Sequence, residues 1–189
     1  MCIKKEILKS ELITIKNFKE ALAVQNAIFP RENARVNFLE SFAERKMADG
    51  HSEFVKEYFL VRNDMGKAVG IWGHYLVDNN RDELWLGWYG VIPTERREGY
   101  GTKIFRLFEK YAKDNNFKII RLYTDEIDNA IACKLYEKMG MVKEYYNNKD
   151  DITEDIGKIV IYSKSLTGGK VKLWKNKSIN YRAQRQKEI

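Results

Sequence analysis

Arg96-Arg97-Glu98-Gly99-Tyr100-Gly101-Thr102 stands between an extended apolar run and an amphipathic helical pattern, and its reading decides the fold. Two glycines one residue apart let the backbone turn tightly and approach a ligand closely. The helix that begins here offers N–H groups it cannot bond itself, at the positive end of its dipole. Arg96 and Arg97 add full positive charges beside them. The stretch therefore reads as a pyrophosphate cradle, with backbone N–H groups at Arg97, Gly99, Gly101 and Thr102 as donors and Tyr100 between the glycines. Neither common nucleotide loop fits. A dinucleotide fingerprint needs a third glycine where Ile104 stands, and a P-loop needs Gly-Lys-Ser/Thr where this chain has Gly101-Thr102-Lys103.

Working outward, Glu83 to Ile92 is apolar on both alternating faces: Leu84, Leu86, Trp88 and Ile92 on one, Trp85, Tyr89 and Val91 on the other. That pattern predicts a strand covered on both sides. After the loop, Ile104, Phe105, Phe108, Tyr111 and Ala112 recur at helical spacing. Ile119 to Tyr123 reads as a short buried strand, and Asn129 to Met139 as a helix stopped by Gly140. Towards the N-terminus, a strand over Glu6 to Ile15 precedes a helix ending at Pro30, opened by the capping-box-like pair Asn17 and Glu20. A second helix, Ala34 to Met47, ends at Gly50. Phe54 to Arg62 and Lys67 to Val77 form an antiparallel hairpin around Asn63-Asp64-Met65-Gly66. Met141 to Tyr146 and Lys158 to Ser163 close the fold as a hairpin around a polar, largely acidic loop. The order predicts an α/β (α+β) domain, a mixed, mostly antiparallel central sheet flanked by helices.

About thirty residues past the loop, Asn129, Ala132, Leu135, Tyr136, Glu137, Lys138 and Gly140 form N-x-x-A-x-x-L-Y-E-K-x-G. Val91-x-Pro93 stands ahead of Arg96-x-x-Gly99-x-Gly101. In this order the motifs closely resemble the GNAT family of N-acetyltransferases, most strongly over residues 84–141. The resemblance implies the acyl-CoA N-acyltransferase fold, with acetyl-CoA as the donor cosubstrate and direct transfer to a primary amine within a ternary complex. It also implies that the strand edge near Tyr89 and Val91 pairs with the amide-bearing pantetheine arm. Asn129, Ala132 and Tyr136 share a helix face at i, i+3 and i+7. The resemblance implies that Asn129 bonds an amide of the arm, that Ala132 leaves it room, and that Tyr136 protonates the departing thiolate. Met141 departs from the family's usual Phe, one large apolar group for another.

An alkylammonium acceptor with a pKa near 10.4 needs a base or selection of its neutral fraction. The middle of the strand before the loop, Trp85 to Gly90, carries no acid. Glu83 at its start is the first choice, with Asp125, Glu126, His74, a water relay or a backbone carbonyl as alternatives. Cys133 has no partnering His or Asn pattern and reads as helix packing. The acids Asp78, Asp82, Glu83, Asp125, Glu126 and Asp128 would attract a cationic amine, whether a small molecule or a peptide.

The chain of 189 residues reads as one acetyltransferase domain, 1–167, with a basic extension, 168–189. Its two cysteines, Cys2 and Cys133, support neither a metal site nor a disulfide framework. No apolar run predicts a membrane span and no secretion signal is legible, so the expected location is cytoplasmic. The extension holds seven basic residues against Glu188 and so carries six of the seven net positive charges. A nucleic-acid partner rests on that segment alone, and the reading goes against one. Val171, Leu173 and Trp174 are too apolar for water and favour docking, either as an extension of the sheet or in a homodimer. Two rival functions remain open: a non-catalytic acyl-CoA-binding sensor or scaffold, and an RNA- or ribosome-associated acetyltransferase recruited by the extension.

Overall fold

The turn Asn63-Asp64-Met65-Gly66 folds back as its residues require. In a computed structural model of the chain, the Asn63 side-chain oxygen accepts from the N–H groups of Met65 and Lys67 at 3.2 and 3.0 Å. Gly66 takes a φ of 78°, open to glycine without cost. The structure describes residues 7–48, 56–77, 80–148 and 158–179. Among these are seven strands and four α-helices: β1 Lys9–Leu12, α1 Phe18–Ile28, α2 Ala34–Ala48, β2 Lys56–Arg62, β3 Ala68–Tyr75, β4 Glu83–Val91, α3 Tyr100–Asp114, β5 Ile119–Asp125, α4 Ala130–Lys138, β6 Val142–Tyr145 and β7 Ile159–Ser165. The strand order is β1-β2-β3-β4-β5-β7-β6. The expected class, a mixed and mostly antiparallel sheet with helices, is the one observed. Glu6, Gly50, Phe54, Asp78 and the acidic loop before Lys158 lie outside the described residues.

The chain divides into two units, Met1–Tyr75 with Leu86–Lys110, and Leu76–Trp85 with Tyr111–Ile189. In the first, β1 and β3 flank β2, both antiparallel to it. Phe38, Tyr58, Leu60 and Ile71 gather with Ala21 and Val24 of α1 into a core cluster. On the opposite sheet face Phe59 stacks on Trp72 at 4.2 Å, and Phe108 of α3 meets Trp72 edge-on at 5.8 Å. Gly90 is required by packing: a Cβ there would stand 2.4 Å from Cγ2 of Ile28, so α1 lies directly on β4.

The capping box expected at Asn17 does not form. Its side chain accepts from the N–H of Thr14 and donates to Glu11 and to the Leu12 carbonyl, and it makes no cap bond to the helix. Glu20 turns instead to Arg62, at 2.6 Å. A full cation on β2 outcompetes the neutral N–H of a helix start.

In the second unit, the parallel ladder between β4 and β5 runs Glu83↔Ile119, Leu84↔Ile120 and Trp85↔Arg121. β7 pairs antiparallel with β5 over its full length and with β6 on its other side. The closing hairpin is thus antiparallel as expected, with its second strand inserted between β5 and β6. α4 covers one face, where Tyr136 packs on Tyr162 with ring centroids 5.4 Å apart. The opposite face carries Arg121 paired with Ser163, and Glu144 of β6 paired with Ile161 on that same face. That face receives Trp174, which is buried.

Candidate functional site

β4 ends at Val91, and Pro93–Glu95 forms a single 3-10 turn before the loop. Proline lacks the N–H that would extend a ladder, and its fixed φ suits the first turn position. Arg96 is extended, with φ −74° and ψ 161°, and its Nε donates to the Val91 carbonyl at 3.2 Å. Arg97 then adopts a left-handed φ of 73° and Gly99 one of 76°. Left-handed backbone at these two positions turns the chain sharply just ahead of α3, a turn conformation suited to an anion. A Cβ at Gly99 would meet nothing within 4 Å. Packing therefore does not explain this glycine; its backbone conformation and the open space above it do.

α3 starts at Tyr100, and Lys103 N–H closes the first helical bond to the Gly99 carbonyl at 3.2 Å. Gly101 and Thr102 fall in that first turn, whose N–H groups point out of the helix end. Tyr100 itself is buried, and Lys103 lies 5.1 Å over its ring. The Tyr89 hydroxyl donates to the Gly101 carbonyl at 2.6 Å, tying β4 to the amino end of α3. Arg96 and Arg97 are exposed. The structure brings Tyr89, Val91, Arg96, Arg97, Gly99, Tyr100, Gly101 and Thr102 into one strand-turn-helix segment, and its charge is positive.

In the second unit, Asn129 precedes the first turn of α4, exposed and making no side-chain cap bond. Ala132 is half-buried and Tyr136 is 6% exposed. Burial, and then the nearby Cys133, push the Tyr136 hydroxyl above the ordinary phenol range. It therefore stays protonated throughout the neutral range. The Tyr162 hydroxyl beside it donates to Glu137 at 3.1 Å.

Glu83 is not placed as a base. It is 5% exposed, and the buried Arg121 guanidinium donates to both its carboxylate oxygens, at 2.7 and 3.0 Å. A carboxylate held this way is a framework group, because both its oxygens are committed to a buried cation. The alternatives are engaged as well. Asp125 accepts from the N–H groups of Ile127 and Asp128, and Glu126 pairs with Lys143. His74 is buried opposite Glu57 on β2, 3.5 Å from it, with burial holding its pKa below the usual imidazole value.

Sequence reasoning missed Arg121. It lies 38 positions from Glu83, and only the parallel register of β5 marks it out. Among the described residues no group of three His, Cys, Asp or Glu side chains could hold a metal ion. None of the described helices is long and apolar enough to cross a membrane.

Comparison with known proteins bears on this geometry. The model of the Acetyltransferase (GNAT) family matches residues 23–141. The chain is 36% identical over 77 residues to the probable N-acetyltransferase camello of Xenopus laevis, a match covering 41% of this chain and 35% of that protein. The chain thus matches about a third of the length of that relative. Among solved structures, spermidine N-acetyltransferase from Vibrio cholerae, in complex with CoA and spermine, superposes with a TM-score of 0.65 at 15% identity, over 85% of this chain and 96% of that one. The ribosomal-protein-S18-alanine N-acetyltransferase from Escherichia coli gives 0.62 at 16%, over 89% and 99%. At such identities the likeness is one of fold.

Proposed function

The chain belongs to the acetyltransferase (GNAT) family, and from that premise we propose that it is an N-acetyltransferase carrying an acetyl group from acetyl-CoA to a primary amine by direct transfer. The observation that carries this reading is the loop, with left-handed Arg97 and Gly99 leading into the amino end of α3. Open space over Gly99, two exposed arginines and the amino end of α3 fit a pyrophosphate. Residues 96–102 would hold the phosphates and the edge at Tyr89 and Val91 would receive the pantetheine arm; in the second unit, the family motif separately assigns Asn129 and Ala132 to that arm. When bound, acetyl-CoA supplies the activated thioester. Transfer forms a bond from the amine nitrogen to the acetyl carbon and breaks the carbon–sulfur bond. Tyr136 then donates towards the departing thiolate. Its raised pKa makes it a hydrogen-bond donor to sulfur more than a full proton source, which suffices for a thiolate leaving group.

With Glu83 committed to Arg121, the proton of the acceptor is assigned to water. The domain is taken as residues 1–167 with 168–189 as its extension. The acceptor class proposed by analogy with the spermidine and ribosomal-protein acetyltransferases of like fold is a polyamine or a protein amine. The ion pair at Glu83 also favours a second reading, an acyl-CoA-binding module without turnover. Calorimetric titration with acetyl-CoA followed by a thiol-release assay over polyamines, small amines and peptides separates the two. Binding with release supports the enzyme and binding without release supports the module. Absence of binding defeats both.

A further inference from the structure

Arg121 is a fully buried guanidinium with more partners than an ion pair requires. Besides Glu83, it donates to the Ser163 hydroxyl at 2.5 Å and to the Lys172 carbonyl at 2.8 Å. Its Cζ lies 5.4 Å from the centre of the Trp174 ring. One side chain thus joins the start of β4, β5, β7 and the segment after β7. The segment is received by a built seat. The Glu144 carboxylate accepts from two consecutive backbone N–H groups, Trp174 at 2.8 Å and Lys175 at 2.7 Å. Lys175 and Asn176 take left-handed φ values of 57° and 58°, a strained turn that surrounding contacts must hold. Those contacts are present. The Asn176 side chain accepts from Asn147 N–H, its carbonyl accepts from Asn148, Trp174 Nε1 donates to Lys177, and Ile179 N–H reaches the Tyr146 hydroxyl. Trp174 also meets Trp85 edge-on at 4.9 Å.

Trp85 and Arg121 are the last pair of the parallel β4–β5 ladder, and β4 continues beyond them to Val91. Trp174 touches both members of that pair. We propose that residues 172–179 are a latch, anchored by Trp174 and Glu144, that fixes the end of the β4–β5 ladder at Trp85 and Arg121, and that binding of the acyl donor depends on it. The donor half rests on the function proposed above; the ladder half stands on the contacts alone. Arg121 is then a positioning residue, acting through the ladder, and the basic segment beyond β7 works as part of the fold.

The test compares the full chain with Trp174→Ala and with the Trp174→Ala/Glu144→Gln double variant, and uses Trp174→Phe for rescue. Amide hydrogen exchange is read at Leu84, Trp85 and along β5, with the β2–β3 hairpin as an internal control. Release of the latch, seen as fast exchange at Lys175 and Ile179, should speed exchange at the β4–β5 amides by about tenfold or more while the control stays fixed. Acetyl-CoA affinity should fall with it, and Phe should restore most of both. If Trp174→Ala does not fold, Trp174→Leu carries the same comparison. Released latch amides with an unchanged ladder would overturn the proposal, as would latch amides still protected in the double variant. A loosened ladder with unaltered acetyl-CoA affinity would overturn the donor half. If the unmutated chain fails to bind acetyl-CoA, the functional reading falls, and the exchange result still decides the ladder half.

Discussion

The Arg121 guanidinium grips both carboxylate oxygens of Glu83 inside the protein, Nε at 2.7 Å and Nη2 at 3.0 Å. Removing one partner of such a pair leaves a buried charge uncompensated, at a cost of roughly 3–5 kcal/mol. Glu83→Ala should therefore lower the melting temperature by roughly 6–20 °C for a domain of this size. Differential scanning calorimetry reads this directly. Intact melting with lost turnover would return Glu83 to the role of a base.

Tyr89→Phe keeps the ring against Phe105 and deletes the hydroxyl that donates to the Gly101 carbonyl. A single neutral hydrogen bond contributes about 1 kcal/mol, so the fold should survive. Loss of the tie between β4 and the amino end of α3 should weaken coenzyme A binding several-fold, measured by calorimetric titration. Unchanged affinity would separate the tie from the cradle.

Gly101 lies in the first turn of α3, where close approach and positive potential are needed together. Gly101→Glu adds bulk and a like charge, and should weaken coenzyme A binding by about two orders of magnitude or more. Circular dichroism should show the fold retained. A folded variant with parental affinity would remove the loop from the donor site.

The loop and the α4 motif were legible because each depends on local spacing: two glycines before a helix, and one helix face repeated at i, i+3 and i+7. What escaped was long-range. Glu83 looked available as a base because Arg121, 38 positions away, reaches it only through the β4–β5 register. Glu20 looked like a capping residue because Arg62, 42 positions away, is invisible to a window of one turn. Trp174 was too apolar for water on sight, but its seat on Arg121 and Glu144 needed the sheet order to be known.

His74 gives the stability a dependence on pH. Burial depresses its folded pKa below the usual 6.5, with Glu57 opposing in part. Below about pH 6.5 the unfolded chain binds a proton that the folded protein resists, so stability falls as pH falls through that range and is fully present above it. His74→Gln should flatten the dependence between about pH 5 and 6.5, relative to the parent, in urea melts taken across that range. Parallel curves for parent and variant would mean that His74 titrates alike in both states.

Tyr136 tests the chemistry itself. Its ring packs on Tyr162 and its residue is almost wholly buried, so Tyr136→Phe preserves the packing and removes only the oxygen. A hydroxyl that acts only as sulfur departs should matter to turnover and little to donor binding. The expected result is a fall in kcat of about 10²-fold or more with coenzyme A affinity within a few-fold of the parent. The pH profile adds a second reading: because burial raises the phenol above its usual range, the parent should show no descending limb from this group up to about pH 10. Equal kcat in parent and Phe variant would reduce Tyr136 to a packing residue of α4, and leave protonation of the thiolate to solvent.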